Sequence, residues 1–187
     1  MQNSKPLRLR SYGVSNEESL KCTIVQAARA TSAAPTFFEP VKLDVGVTLR
    51  DGGLLNNNPL DELISEVTTK REFSGKQIAC IVSLGTGIMK PKIQGDRLAA
   101  VAQSCVDIAT NTETTHKKFK ERECGAGGRF RNKYFRFNVA QGVQDVTLEE
   151  WQAMDDMWVL TYEYLTTIEE ELSGCVTHLR TSFRRTL

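Results

Sequence analysis

Apolar residues in the first third of the chain follow patterns that predict short helices and strands. The alanine-rich residues 22–34 predict a helix that stops near Ala33, because the residue before Pro35 avoids helical backbone angles. So many alanines favour close approach to a neighbouring backbone, as in a helix laid against a sheet. Residues 36–43 predict a loop that becomes extended, and residues 47–50 predict a short strand.

A second helix is predicted to begin at Asn58-Pro59. Asn58 can cap this helix, and Pro59 suits its first position. One apolar face follows at positions i, i+3, i+4 and i+7, formed by Leu60, Leu63, Ile64 and Val67. Residues 78–84 are almost all apolar, which is typical of a strand covered on both sides in a parallel sheet, and Gly85-Thr86-Gly87 ends them.

The remaining patterns predict two more strands and two more helices. Residues 7–12 and residues 129–139 alternate between apolar and polar side chains, as half-buried strands do. An amphipathic helix is predicted from the spacing of Leu98, Val101, Cys105 and Ile108. Thr147 and Glu150 form a capping-box pattern that opens a long helix, which Gly174 is predicted to end. We expect the stripe along this helix to be core: Trp151, Met154, Trp158, Leu165, Ile168 and Leu172.

Strand and helix patterns alternate along the chain, which predicts the α/β class. The 187 residues suffice for one domain and contain no internal repeat or linker. Hydrophobic residues make up 40% and charged residues 25%, as in a soluble globular protein, and the net charge of +1 favours neither nucleic acid nor acidic partners. No apolar run approaches the roughly 18 residues of a membrane span, and the basic residues 1–10 do not read as a secretory signal.

The cysteines predict no disulfide framework and no metal site. Their number is odd and no pair has CxxC spacing: Cys22, Cys80, Cys105, Cys124 and Cys175. We expect them to be reduced thiols, mostly buried, in a reducing compartment. A zinc site needs clustered ligands, and His116 and His178 lie far in sequence from any cysteine pair.

Candidate chemistry begins at Asp51-Gly52-Gly53, which allows two interpretations. Asp-Gly is a common turn signal, and glycine adopts positive φ angles readily, so a plain structural turn is one interpretation. The other starts from the flanking elements, because a predicted strand leads in and a predicted helix leads out. Functional sites in α/β folds form at the carboxyl ends of strands, and two glycines would leave the approach to the Asp51 carboxylate unblocked.

Five short motifs in order resemble the second half of a patatin-like phospholipase domain. They are Ala28-Arg29-Ala30-Thr31-Ser32-Ala33-Ala34-Pro35, Phe37-Phe38-Glu39-Pro40, Asp51-Gly52-Gly53-Leu54, Asn57-Asn58-Pro59 and Ser83-Leu84-Gly85-Thr86-Gly87. The segment from Tyr134-Phe135-Arg136-Phe137-Asn138 through the tryptophan helix resembles the tail of fungal-type members. The resemblance covers about residues 7–179. Each motif alone is weak, but their common order is specific.

The resemblance implies part of a three-layer α/β/α sandwich with a mostly helical C-terminal segment. Residues 1–187 would form a single, N-terminally truncated domain, with a core over 1–90 and a helical and strand extension over 91–187. Family members hydrolyse acyl lipids with a serine-aspartate dyad and need no metal or cofactor. Asp51 matches the position of the family's aspartate, which acts as the general base, and Gly52 and Gly53 complete that motif.

The sequence departs from the family pattern at the nucleophile. It contains no GxSxG elbow, and Ser83 has no glycine two residues before it, so we do not expect Ser83 to be a nucleophile. The glycine-rich residues 125–129 superficially resemble the family's oxyanion loop, but they follow Asp51, so we expect a surface loop. Half of the catalytic apparatus is present, and we expect the chain alone to be inactive.

Three function classes remain open. The chain is part of a lipid acyl hydrolase, or a non-catalytic lipid-binding or interaction protein on the same scaffold, or an unrelated α/β protein with a structural Asp-Gly turn. Residues 117–136 hold eight basic and two acidic residues with interleaved aromatics, which fits a solvated face, an anionic lipid contact or a nucleic-acid patch. We expect a solvated face and no nucleic acid. The expected partners are acyl lipid, transiently a membrane surface, and the missing half of the domain or a second copy, in the cytoplasm.

Overall fold

The computed structural model describes most of the chain, in two compact units. The described residues are 6–15, 17, 20–34, 37–88, 112–140, 146 and 150–184. The first unit spans Met1–Lys76 and the second spans Gln77–Leu187. The predicted helix containing Leu98 and Cys105, and the predicted cap Thr147, lie outside the described residues.

The first unit combines three helices with a small antiparallel sheet. Its elements are α1 (Ile24–Thr31), β1 (Val41–Lys42), β2 (Thr48–Leu49), α2 (Gly53–Asn56), α3 (Leu60–Thr69) and a 3-10 turn at Arg71–Phe73. Val41 pairs with Leu49, and Lys42 pairs with Thr48. The predicted strand at residues 47–50 is therefore confirmed, and α3 begins at Leu60, one residue later than the first position that we predicted for Pro59. Pro59 itself occupies the cap position that we expected for Asn58.

Helix α1 is fixed at both ends by local interactions. At its start the Gln26 amide donates to Thr23 Oγ1 at 3.1 Å, while the Thr23 amide donates to Gln26 Oε1 at 2.8 Å, which makes a capping box. At its end the Ser32 hydroxyl donates to the Ala28 carbonyl at 2.9 Å. The helix stops at Thr31, two residues before the predicted limit. Its buried Ala30 packs with Leu43 and Leu49, so the predicted packing of a helix on a sheet is confirmed.

The prediction of a strand at residues 7–12 is wrong. These residues form no strand, and their alternating polar side chains instead reach Glu66 on α3. Arg8 NH1 donates to Glu66 Oε2 at 2.6 Å and Tyr12 OH donates to Glu66 Oε1 at 3.0 Å. Arg10 binds the same carboxylate through Nε and NH2. Polar side chains do recur at every second residue, but this spacing places Arg8, Arg10 and Tyr12 on the side of the segment that faces α3.

The predicted apolar face of α3 is partly wrong, because the Glu66 carboxylate occupies a buried position on this helix. Leu60 is buried as expected, but Leu63 is 48% exposed, whereas Glu66 is only 6% exposed. The hydrogen bond from Arg10 lowers the pKa of Glu66 to about 2, against the opposing effect of burial. A charged side chain can occupy the buried face because two guanidinium groups and a phenol replace its water.

The second unit contains a two-stranded parallel sheet and three helices among its described residues. Its elements are β3 (Ile81–Leu84), α4 (residues 112–124), β4 (Tyr134–Phe137), a 3-10 turn at Trp151–Ala153, α5 (Met154–Thr167) and α6 (Glu169–Arg184). Ile81 pairs with Tyr134, and Leu84 pairs with Phe137. Each observed strand is a part of its predicted range, and residues 81–84 lie in a parallel sheet as expected. The chain is therefore a mixed α/β protein.

Helices contact both faces of β4. Tyr134 lies on one face, where its ring centroid is 4.9 Å from that of Phe119 on α4. Phe135 lies on the opposite face, 5.8 Å from the ring of His178 on α6. Strand β3 is less covered than predicted, since Leu84 is 74% exposed. The predicted assignment of Tyr134 and Phe135 to opposite faces is confirmed, and α4 and α6 cover the two faces of this strand.

The predicted long helix is two helices, and its aromatic stripe is not core. Trp151 and Trp158 are 71% and 68% exposed. Helix α5 ends at Thr167, and Ile168 is its cap residue. The hydroxyls of Thr166 and Thr167, in the last turn, donate to carbonyls of the preceding turn. Gly174 lies inside α6 and does not end it. A Cβ at Gly174 would lie 3.7 Å from the Phe135 ring, an ordinary van der Waals distance, so steric contact does not account for this glycine.

A hydrogen-bonded network fixes the loop after β3. Asn138 Oδ1 accepts from the Gly87 amide at 2.8 Å, and Asn138 Nδ2 donates to Glu113 at 2.9 Å. Arg136 donates from NH2 to the same Glu113 oxygen at 2.9 Å. Gly87 has a φ of +105°, and a Cβ at Gly85 would overlap the Asn138 side chain. Both glycines are therefore required by geometry.

Replacement of Glu66 tests the ionic anchor of the first unit. Glu66→Gln should lower the free energy of unfolding at pH 7 by roughly 1–3 kcal/mol, because Arg8 and Arg10 lose their anion. The pKa of Glu66 is depressed, so its contribution is complete above the ordinary value of 4.5 and is lost as the pH falls towards 2. Denaturant unfolding between pH 7 and pH 2 measures this. The wild-type protein should lose more stability below pH 4.5 than the variant.

Glu39→Gln is the matched control, since Glu39 is exposed. It should change stability by less than about 0.5 kcal/mol. Equal losses in the two variants would contradict an anchoring role for Glu66.

Replacement of Gly85 tests the loop network. Gly85→Ala should cost about 1–3 kcal/mol of unfolding free energy, because the new methyl group overlaps Asn138. In an Asn138→Ala background the same replacement should cost much less, since the overlapping side chain is gone. Gly13→Ala is the control, because no atom lies within 4 Å of a Cβ there. Additive losses in the double variant would refute the steric explanation.

Candidate active-site aspartate

Asp51 is held at a junction between three elements of the first unit. Strand β2 ends at Leu49, which is buried, and α2 begins at Gly53. The Asp51 amide donates to the carbonyl of Ala33, just beyond the end of α1, at 3.1 Å. The predicted order of strand, aspartate and helix is therefore present. Asp51 follows the carboxyl end of β2, as expected, and β2 belongs to an antiparallel pair.

The Asp51 side chain is half-buried, and its two oxygens differ. Oδ1 accepts a hydrogen bond from the Gly53 amide at 2.9 Å, which fixes the orientation of the carboxylate. Oδ2 accepts no hydrogen bond from any residue that the structure describes. One oxygen therefore orients the group, and the other remains available to accept a proton or a hydrogen bond.

The two glycines after Asp51 are not explained by backbone strain. Gly52 has a φ of −76°, and the φ of Gly53 is not positive either. Neither glycine therefore needs a positive φ angle, and Gly52 lies in a turn that leads into α2. A Cβ at Gly53 would lie 3.4 and 3.5 Å from the two Asp51 oxygens, whereas a Cβ at Gly52 would meet nothing within 4 Å. Glycine at position 53 leaves this side of the carboxylate uncovered.

Ser83 is already engaged by its own unit. It is the third residue of β3, and its Oγ accepts from Arg136 NH1 at 3.0 Å. The Arg136 side chain is only 6% exposed. Ser83 is therefore a partner of a buried guanidinium within a strand, and not an exposed residue on a sharp turn. This geometry agrees with the expectation that it is not a nucleophile.

The glycine-rich residues 125–129 form a tight reversal after α4. The Gly128 amide donates to the Gly125 carbonyl at 2.9 Å, and the Phe130 amide donates to the Glu123 carbonyl at 2.9 Å. Gly127 has a φ of +81°, and a Cβ at Gly128 would overlap the Glu123 carbonyl. The turn geometry accounts for these glycines without an oxyanion.

Burial shifts the pKa values of His116 and Cys80. His116 Nδ1 lies 3.0 Å from Tyr134 OH, and burial lowers the pKa of His116. Burial, with a contribution from neighbouring Cys175, raises the pKa of Cys80 to about 11, so this thiol stays protonated. The four cysteines in the described part of the chain are free thiols, but only Cys175 is buried, so the expectation that most would be buried is wrong. Cys105 lies outside it.

Neither a metal site nor a membrane-spanning helix occurs among the described residues. No three His, Cys, Asp or Glu side chains there come close enough together to hold a metal ion. No helix there combines the length and apolarity needed to cross a membrane. An open cavity of about 490 Å³ in the second unit has Phe135, Ile168 and His178 among its lining residues, and Asp51 is not one of them.

The sequence patterns indicated Asp51 but not the two buried polar clusters. Glu66 pairs with Arg8 and Arg10 in the first unit, and Arg136 pairs with Glu113 in the second. A signal existed for the first cluster, since Arg8, Arg10 and Tyr12 alternate in a segment rich in positive charge. No comparable local pattern marked Arg136, whose partner Glu113 lies 23 residues away.

Comparisons with known proteins identify related sequences. Residues 5–64 match the family model described as patatin-like phospholipase. Calcium-independent phospholipase A2-gamma of Rattus norvegicus is 30% identical over 153 residues, which are 79% of this chain and 18% of that protein. The protein of the same name from Oryctolagus cuniculus is 33% identical over 129 residues, which are 67% of this chain and 15% of that protein.

A plant relative has a name that describes it as inactive. Probable inactive patatin-like protein 9 of Arabidopsis thaliana is 32% identical over 96 residues, which are 46% of this chain and 25% of that protein. The chain spans less than a fifth of the length of the two mammalian relatives. No solved structure matches the chain. Residues 5–64, which include Asp51 and both glycines of its motif, thus carry a match to the patatin-like phospholipase family.

Proposed function

We propose that this chain contributes the general base of a patatin-like serine lipid acyl hydrolase of the fungal type. Asp51 would be the aspartate of a serine-aspartate dyad, within Asp51-Gly52-Gly53. The chain would form the C-terminal part of a three-layer α/β/α domain, with core over 1–90 and extension over 91–187. The nucleophilic serine and the oxyanion amides would come from polypeptide outside this chain.

The observation that carries the proposal is the geometry of the Asp51 carboxylate. Its Oδ1 is oriented by the Gly53 amide at 2.9 Å, and its Oδ2 has no partner among the described residues. A base needs both properties, a fixed orientation and a free lone pair. The absence of a side chain at Gly53 leaves one side of both oxygens clear for an incoming hydroxyl.

The reaction would proceed by acyl transfer through this carboxylate. Asp51 would accept the proton of the serine hydroxyl while the serine oxygen forms a bond to the ester carbonyl carbon. The protonated Asp51 would then return the proton to the departing alcohol, leaving an acyl-serine. Water would hydrolyse that ester with Asp51 again accepting and returning a proton. No histidine, metal or cofactor takes part in this sequence of steps.

Phospholipid is the substrate class that the relatives support best. The mammalian relatives are named calcium-independent phospholipases A2, and their names agree with an acyl ester substrate and with a mechanism that does not use calcium. Such a substrate requires transient contact with a membrane surface from the cytoplasm. The missing part of the domain, or a second copy of the chain, would be the protein partner.

Activity of the 187-residue chain alone should be negligible. An oxyanion hole is typically worth about 3 kcal/mol or more of transition-state stabilisation, and without a nucleophile no acyl-enzyme forms. The purified chain should neither hydrolyse phospholipid vesicles nor react with a fluorophosphonate probe. Ester turnover that disappears in Asp51→Ala would show that the chain supplies its own nucleophile. It would overturn the proposal that the nucleophilic serine comes from polypeptide outside this chain.

Asp51 should be essential wherever the serine is present. If the coding sequence upstream of Met1 holds an in-frame GxSxG, the encoded protein should label with fluorophosphonate and hydrolyse phospholipid. In that protein Asp51→Asn should lower kcat by about 10³–10⁴-fold, because the amide cannot accept the serine proton. Asp44→Asn is the matched control, since Asp44 is an exposed acid of the same unit. Equal activities of the two variants would refute the role of Asp51.

A non-catalytic lipid-binding or interaction protein is the second candidate. The name of the plant relative, probable inactive patatin-like protein 9, favours it. A start codon at Met1 with no coding sequence before it would also favour it. The two candidates separate in the probe experiment, because only the hydrolase has a form that labels at serine.

A further inference from the structure

We propose that residues 117–133 form a docking surface for anionic lipid headgroups. This surface, called here the basic hairpin, comprises the C-terminal half of α4 and the reversal that follows it. The inference rests on the proposed lipid hydrolase function and assigns the membrane contact of that function to a particular surface and lipid charge. It concerns the second unit alone.

Two phenylalanines fold the basic hairpin back on itself. Phe119 on α4 and Phe130 after the reversal are 1% and 2% exposed, and their rings stack with centroids 5.7 Å apart. The Phe130 amide also donates to the Glu123 carbonyl at 2.9 Å. Residues that are about ten apart in sequence are thereby held together, so the cations before and after the reversal belong to one rigid element.

The cations of the basic hairpin lie on the outside of this aromatic core. Six of them are exposed, namely Lys117, Lys118, Lys120, Arg122, Arg129 and Arg131, and Lys133 is half-buried. Only two acids lie in the same stretch, and Glu123 is paired with Arg122 at 3.0 Å. The formal charge of these 17 residues is +5, whereas the whole chain has +1. The positive charge is therefore concentrated here and balanced elsewhere.

The placement of the aromatics argues for lipid over nucleic acid. Single-stranded nucleic acid is bound through stacking of bases on exposed aromatic rings. Phe119, Phe130 and Phe135 are all buried and offer no such ring. Arg122 and Arg129 lie over the two inner rings, with their Cζ atoms 6.0 and 5.1 Å from the ring centroids. What remains outside is a group of compact charges, which suits the diffuse negative potential of a membrane surface.

Vesicle flotation of the full chain tests this surface. The vesicles contain phosphatidylcholine alone or with about 30% phosphatidylserine, a level that gives a negative surface potential. The chain should float with the anionic vesicles and not with the neutral ones, and binding should weaken steeply as salt rises, because salt screens surface charge. Binding that is equal on both vesicles, or indifferent to salt, would overturn the proposal.

A triple variant locates the contact. Lys117→Ala, Lys118→Ala and Lys120→Ala together should lower the vesicle partition coefficient about 100-fold, since each cation near such a surface contributes about fivefold. The matched control combines Lys21→Ala, Arg29→Ala and Lys42→Ala, which removes the same charge from exposed positions of the first unit. Its partition coefficient should fall no more than about threefold. Equal losses in the two triple variants would refute the assignment to the basic hairpin.

Two further measurements keep the interpretation unambiguous. Arg129→Ala with Arg131→Ala leaves the lysines of α4 intact and should still weaken vesicle binding by more than tenfold, so a helix defect in the first variant does not decide the outcome. Competition with single-stranded RNA at the same salt should not displace the anionic vesicles. Displacement by RNA at a lower charge concentration would identify a nucleic-acid surface and overturn the proposal.

Failure of this inference can be told apart from failure of the hydrolase assignment. Asp51→Asn should leave vesicle flotation unchanged, because Asp51 lies outside the basic hairpin. Hydrolysis of a soluble short-chain ester by a protein with the GxSxG should survive the lysine replacements. Loss of flotation selectivity with intact ester hydrolysis would remove only the docking surface.

Discussion

A buried carboxylate is the constraint on which the first unit depends. Glu66 lies on the inner face of α3, and its partners among the described residues, Arg8, Arg10 and Tyr12, precede it by 54 to 58 residues. An uncompensated carboxylate at that position would be costly, so α3 and the N-terminal segment must dock together. The segment has no strand pairing to hold it there, and its arginines and tyrosine take over that task. The unit that contains Asp51 therefore depends on the ionic interactions of Glu66.

Glu66 and Asp51 are two carboxylates of one unit with opposite surroundings. Glu66 is saturated by cationic donors, and its pKa falls to about 2, so it holds its charge and takes no part in proton transfer near neutral pH. Asp51 is oriented by a single backbone amide and keeps one oxygen open among the described residues. The comparison separates a structural acid from a candidate base without reference to any relative. A Cβ at Gly53 would contact both Asp51 oxygens, whereas a Cβ at Gly52 would meet nothing within 4 Å, so Gly53 is the glycine that keeps the carboxylate uncovered.

The sequence predicted what is decided locally and missed what is decided across the chain. The helix within residues 22–34 was predicted from its alanines, and the place of Asp51 was predicted from the strand and helix patterns beside it. The exposed Leu63 and the buried Glu66 could not be predicted, because the donors that reverse the expected face of α3 are distant in sequence. The open Asp51 oxygen likewise depends on which groups come near it in space. Gly174 was wrongly predicted to end a helix, since it lies inside α6.

The placement of the tryptophans has a spectroscopic consequence. The chain has two, Trp151 and Trp158, and both lie at or near the start of α5 and are more than two-thirds exposed. Their emission should already be that of indole in water while the protein is native, so denaturation should produce little red shift. Fluorescence would report contacts of the second unit and would be nearly blind to the first. Loss of order around Asp51 would therefore go unseen unless a new fluorophore were introduced there.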